Sequence, residues 1–458
     1  MLFNSWLFLI FFVVTAAGYY ALGRTRLRTA WLVLASYVFY GWLNPLYVAL
    51  IAYTTLVNYV AGIRLESSPR KKTWLAVAVI NNLLILGVFK YAGFAVENLN
   101  ALLGLAGASY AIPEPGHLLP VGLSFYTFIA TGYVIDRYRG TVDAERDIIR
   151  FAAFVSFFPY LLAGPIERAK NMLPQLSAVP SFRIGYITEG MSLFVVGLFK
   201  KIALADFLAL YANKVYGEPG EFGGLALLMA TYAFAWQIYF DFSGYTDMAR
   251  GCARMLGFDL MLNFDNPYLS ESLNEFWKRW HISLSSWFKD YVYIPLGGNR
   301  RGRFNTYRNM VLTMLVAGLW HGAAWNFVIW GGLHALGRTV TRELEQTAFY
   351  AEKIPKFVKQ LFIFHFVCVT WIFFRAETFG KAMTVLGGIF TKAWADPRFP
   401  IAGILFILAV WAYQFAFESR LRGMLERSYV KVALVTAMIL YMVFFRTSGY
   451  EVFLYFRF

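Results

Sequence analysis

Apolar residues in this chain come in long runs. Runs long enough to cross a hydrocarbon layer of ~30 Å stand at about 3–21, 29–43, 45–63, 73–92, 118–136, 184–205, 222–242, 306–320, 322–340, 358–375, 400–418 and 430–447. A shorter run covers about 150–163. Read as helices, they predict an all-α chain with roughly eleven to thirteen membrane-embedded segments. Those under twenty residues are expected to be tilted, partly inserted or broken. Gly93 to His117, with two glutamates and no Lys or Arg, reads as a connection.

Lys and Arg punctuate the runs. Arg24/Arg26/Arg28, Arg64/Arg70/Lys71/Lys72 and Arg137/Arg139/Arg146/Arg150 fall in alternate loops, and so do Arg300/Arg301/Arg303/Arg308, Arg338/Arg342 and Arg420/Arg422/Arg427. Basic loops of a membrane protein face the cytoplasm. The first positive charges follow the first apolar run, which predicts a retained first span with its N-terminus outside. The alternation holds up to Arg150 and again from Arg300. Between them it fails unless Asp265–Leu296 crosses or re-enters the membrane. Irregular backbone at that depth is tolerated only when buried in protein or lining a wet cavity.

Composition supports the membrane reading. Only 15% of the 458 residues are charged and 59% are hydrophobic, against about 25% charged in soluble domains. A single integral-membrane domain over 1–458 is expected. The net charge of +15 sits in loops beside lipid headgroups, so nucleic acid is not an expected partner. Cys252 and Cys368 have no metal-ligand spacing, and no metal site is expected.

Candidate chemistry gathers between Asp265 and Trp325. His321 lies in Gly318-Leu319-Trp320-His321-Gly322, inside an apolar stretch. An ionisable side chain there is costly and points to function. Gly318 and Gly322 leave room for a ligand or another backbone. His281 lies in the aromatic, basic run Phe276 to Ser285, where Trp277, His281 and Phe288 share a helical face and Lys278, Arg279 and Lys289 reach toward headgroups. Asp241 to Asp247 reads as the end of an apolar helix; one carboxylate there orients a histidine or caps the next helix, the cap suiting Asp247. His334, His365 and His117 are weaker candidates. Metal-hydrolase, nucleotide-binding and serine-hydrolase motifs are absent from the sequence. A lone buried histidine suits general-base acyl transfer, in which a hydroxyl loses its proton as it attacks a thioester carbonyl.

These residues carry a resemblance. Phe125-Tyr126-Thr127 through Asp136, Phe157-Phe158-Pro159 with Ala163-Gly164-Pro165-Ile166, Asp241 to Asp247 and Asn263 to Tyr268 take part in it. So do Phe276 to Asn299, Gly318 to Trp325 and the ending Phe453 to Phe458. Together they resemble the membrane-bound O-acyltransferases, and most closely the bacterial alginate O-acetylase-like branch. The resemblance implies His321 as catalytic base and His281 as a second, supporting position. It also implies Trp320, Gly322, Asn274, Trp277, Arg279, Trp280, Ser285 and Asp241 as candidates for a donor or acceptor tunnel. It further implies a ring of helices around a funnel in the bacterial inner membrane. No cofactor would be bound; the acyl donor would be acetyl-CoA or another thioester, and periplasmic proteins would pass acetyl groups to an exported polysaccharide. Teichoic acid D-alanyl transferases share both histidine motifs. Outside acyl transfer, a transporter with a histidine relay or a scaffold for secretion partners would also carry intramembrane polar residues; no internal repeat supports the transporter.

Overall fold

The computed structural model describes every residue except 24, 109, 117–119, 179, 446–452 and 455–458. Arg24, His117 and most of the aromatic ending therefore lie outside the described residues. Helix dominates the rest, with one isolated bridge pairing Phe264 with Trp280. Among the described residues four helices are long and apolar enough to cross a bilayer: Pro45–Ser67, Lys71–Leu105, Gly224–Met255 and Lys356–Arg375. Trp6–Ala21, Ile401–Phe417 and Ser428–Phe444 are shorter apolar helices. On Ile401–Phe417 only Gly403 and Gln414 are buried. A helix that leaves so many large apolar side chains outside the protein is solvated by lipid.

The chain divides into two compact units. One comprises Met1–Phe194 with Met248–Met261, the other Val195–Asp247 with Leu262–Phe458. In the first, helices carry small polar groups inward and pair them. The Asn58 and Asn82 amides donate to each other at 3.0 and 2.9 Å, and Asn82 also donates to Thr131 Oγ1 at 2.9 Å. Among hydrocarbon such groups must satisfy one another, so the pair sets which helix faces meet. Gly190 and Gly251 let two backbones touch: a Cβ on either would stand 2.6 Å from the other's carbonyl oxygen.

The second unit holds His281, His321, His334 and His365. Gly302–His321 and Trp325–Leu344 form an antiparallel hairpin. A Cβ on Gly318 would lie 2.2 Å from the Phe327 carbonyl oxygen, and one on Gly331 2.4 Å from that of Met314. Both crossings need glycine.

Three expectations are corrected. Lys71–Leu105 continues well past Gly93, so much of the expected connection is helix. The helix Gly224–Met255 does not close at Asp241–Asp247. Asp247 is no cap but sits inside that helix, 2.6 Å from Lys200 Nζ, and a paired carboxylate does not end a helix. Finally, Trp277, His281 and Phe288 share no helical face, because the chain breaks at Trp280–His281 between the helices Leu273–Arg279 and Ile282–Phe288.

Candidate active site

His321 is the last residue of its helix and is buried, 4% exposed. Met310, Thr313, Met314, Ala317 and His321 recur at three- and four-residue intervals, the spacing of one helical face. That face lines a cavity of about 510 Å³. Asn274, Trp277 and Ser285 line it from the broken segment, and Arg338 and Arg342 from the other arm of the hairpin. Behind His321 the rings of Trp320, Trp330 and Phe374 stand edge-on, with centroids 5.0, 5.0 and 5.3 Å away. The space beside the glycines is filled by the protein itself: the Phe327 backbone meets Gly318 and the Phe327 ring meets Gly322.

His281 is fully buried and does not line that cavity. It adopts φ 44° and ψ 54°, the left-handed region, which costs a residue other than glycine on the order of 1–2 kcal/mol. The turn is held from the side chain. Asn263 Oδ1 receives Ser283 N–H at 3.2 Å and Ser283 O–H at 2.9 Å, and His281 Nδ1 lies 3.1 Å away. Because a backbone N–H donates to that atom, it is the amide oxygen, and His281 Nδ1 must carry a proton to bond to it. Nε2 is then the basic nitrogen of the neutral ring. Phe242 meets the ring edge-on at 4.6 Å. Trp320 lies between the two histidines, 6.1 Å from His281 and 5.0 Å from His321.

The other candidates disperse. Trp280 is buried against Phe264 and Trp371. Arg279 pairs with Glu275 at 2.8 Å and with Glu418, and does not line the cavity. Asp241 orients no histidine in this arrangement. With Asp206 it brackets the buried Lys201, at 2.8 and 2.7 Å, and its second oxygen accepts the Leu454 N–H at 2.7 Å. His365 bonds to Tyr232, and His334 to Thr370.

Reasoning from sequence missed the cavity's charge. Lys278, Lys289, Arg338 and Arg342 all line it, and no carboxylate does. Arg338 is 3.6 Å from Glu345. Among the described residues Lys278, Lys289 and Arg342 have no carboxylate within ion-pair distance. A second hollow of about 280 Å³ shares Asn299 and Arg342 with the first and adds Arg303 and Tyr307. The available signal was Arg338 and Arg342, four apart on one helix, but in sequence they read as topology markers.

Residues 142–379 match the membrane-bound O-acyltransferase family. The chain belongs to that family. It is 43% identical over 399 residues to a probable alginate O-acetylase AlgI of Azotobacter vinelandii, covering 85% of this chain and 78% of that protein. It is 36% identical to a peptidoglycan O-acetyltransferase of Helicobacter pylori, covering 85% of this chain and 80% of the relative. A teichoic acid D-alanyltransferase of Streptococcus thermophilus matches less, 30% identical over 48% of this chain and 56% of its own length. The protein is a polytopic membrane O-acyltransferase, as its apolar runs and histidine motifs led one to expect.

Proposed function

We propose that this enzyme takes acetyl groups from a cytoplasmic thioester and moves them across the membrane to O-acetylate an exported polysaccharide, through a periplasmic acceptor protein. The observation that carries the reading is a buried histidine in a cavity lined by four cations and no carboxylate. Such a lining suits a donor with an anionic handle, such as acetyl-CoA. In the reaction, His321 takes the proton of an acceptor hydroxyl as its oxygen attacks the thioester carbonyl. A C–O bond forms, the C–S bond breaks, and the departing thiolate recovers the proton from His321. The Asn274 amide, in the same lining, is the candidate donor to the developing oxyanion. His281 acts as a supporting group through Trp320, since it does not line the cavity.

Around this centre the reading places one integral-membrane domain over 1–458, with eleven to thirteen embedded helices about a funnel in a bacterial inner membrane, and the N-terminus outside. Leu273–Arg279 and Ile282–Phe288, seven residues each, are then re-entrant, being too short to span ~30 Å. The acetylase relatives matched over 85% of the chain favour acetyl over D-alanyl as the group transferred.

The test replaces His321 with Ala in cells lacking the native copy, with membrane insertion checked by detergent extraction. General-base catalysis is worth about 10²–10⁴-fold, so polymer O-acetylation should fall by at least the lower figure. Wild-type acetylation by a correctly inserted His321→Ala protein would sink the proposal.

A further inference from the structure

His281 leans on a segment that lies far from it in the chain. Phe453 and Leu454 are both buried. Phe453 packs on two residues of the helix Gly224–Met255 that stand three apart and so share a face. Its ring stacks on Tyr245 at 4.6 Å and meets Phe242 at 5.9 Å. Phe242 is the ring that stands edge-on to His281. His281 thus has two supports, Asn263 at Nδ1 and the Phe242–Phe453 pair against its ring.

Charge holds the second support in place. Asp241, next to Phe242, gives one oxygen to Lys201 at 2.8 Å and the other to the Leu454 N–H at 2.7 Å. Lys201 also meets Asp206, and all three side chains are buried. Two carboxylates facing one ammonium offer more acceptor oxygens than the lysine has protons. A backbone N–H directed at the remaining oxygen makes a charge-assisted bond, which low dielectric strengthens. The lysine comes from a π-helical turn, Lys200–Ala205, whose first two residues reach Asp247 and Asp241 of the same helix. Such turns are rare and concentrate at functional sites. Gly244 permits the approach: a Cβ there would stand 2.7 Å from the Gly197 carbonyl oxygen and 3.1 Å from Lys200 Cβ.

We propose that Phe453 is a positioning residue of the transfer reaction. Clamped onto Asp241 through the Leu454 amide, it fixes Phe242 against His281, and with it the packing of His281 on Trp320. This inference rests on the acyl-transfer reading and extends it to a segment that does not line the cavity. Shortening Phe453 leaves a void beside Phe242 that the surroundings fill only in part. The Asn263 bond remains, so His281 is misplaced rather than lost. Misplacement by about an ångström costs up to ~10²-fold in rate.

The test is a double-mutant cycle on the full-length protein in inside-out membrane vesicles, with acetyl transfer from acetyl-CoA to the polymer resolved into kcat and donor KM. Phe453→Leu and Asp241→Ala should each lower kcat by about tenfold, inside the range for misplacement, and leave the donor KM unchanged. Asp241→Ala leaves Lys201 paired with Asp206, so no buried charge is orphaned, and it stands in if Phe453→Leu fails to insert. Both are repeated in His281→Asn, since Asn tolerates the left-handed backbone. There each should cost no more than about twofold, because the residue they position is gone. Full losses in that background would show a merely structural role and overturn the proposal. An unchanged kcat in an inserted Phe453→Leu protein, or a wild-type rate for His281→Asn, would overturn it as well. Absence of His321-dependent transfer in the otherwise unaltered protein would instead overturn the acyl-transfer reading itself.

Discussion

His281 shows how a single residue is held in a conformation its chemistry disfavours. Its left-handed backbone persists because three donors converge on Asn263 Oδ1: the His281 ring, the Ser283 amide and the Ser283 hydroxyl. All three come from groups with no exposure to solvent. Replacing Asn263 with Ala removes their common acceptor, and each buried polar group left unsatisfied costs about 1–3 kcal/mol. Asn263→Ala should therefore lose at least about 2 kcal/mol of stability and part of its transferase activity. Thermal unfolding in detergent checks the first and polymer acetylation the second; an unchanged melting temperature would show that the triad does not hold the turn. Nothing in the run Phe276 to Ser285 announces this arrangement. Asn263 lies 18 residues before His281, and the partner of a polar group is set by folding rather than by proximity in sequence.

Among the elements, the hairpin of Gly302–His321 and Trp325–Leu344 matters most, because it brings His321 and two arginines, Arg338 and Arg342, to one cavity and packs Trp330 behind His321. Its two glycine crossings can be tested against a neighbour. A Cβ on Gly331 would stand 2.4 Å from the Met314 carbonyl oxygen, whereas at Gly332 the nearest atom is Leu315 Cδ2 at 3.9 Å. Gly331→Ala should separate the arms, costing about 1–3 kcal/mol as overpacking does, and should lower activity by displacing His321 from the rings packed against it. Gly332→Ala should be neutral or gain up to ~1 kcal/mol from helix propensity. Equal behaviour of the two variants in detergent melts and acetylation assays would refute the close-crossing account. The glycines were conspicuous in the sequence, yet whether the space beside them held a ligand or more protein was open. Phe327 settles it as protein.

At the scale of the whole molecule, charge has two uses that composition does not separate. The +15 total is mostly a matter of loops beside lipid headgroups. Lys278, Lys289, Arg338 and Arg342 are different, since they converge on one cavity. If they hold the donor's anionic end, Lys289→Ala and Arg342→Ala should each raise the donor KM by about fivefold, the effect of ~1 kcal/mol for a solvent-accessible ion pair. The kcat should change little, and added salt should shrink the difference. Steady-state rates against donor concentration at two ionic strengths make the check; a fall in kcat at constant KM would remove these residues from donor binding.

From its sequence alone this protein is already a polytopic helical membrane enzyme, because a bilayer demands long apolar runs whose polar backbone is satisfied internally. The same demand makes a histidine such as His321 conspicuous, since few groups of its kind are tolerated there without a purpose. The tertiary structure decided what those residues touch. It turned the end expected at Asp241–Asp247 into mid-helix, since Lys200 and Lys201 neutralise carboxylates that would otherwise be too costly to bury. It also moved His281 out of the cavity lining and brought in the four cations. Apolar periodicity reports which residues leave water, a property each segment carries by itself. Pairing of buried polar groups and convergence on a cavity depend on segments far apart in the chain, and only the packed molecule supplies them.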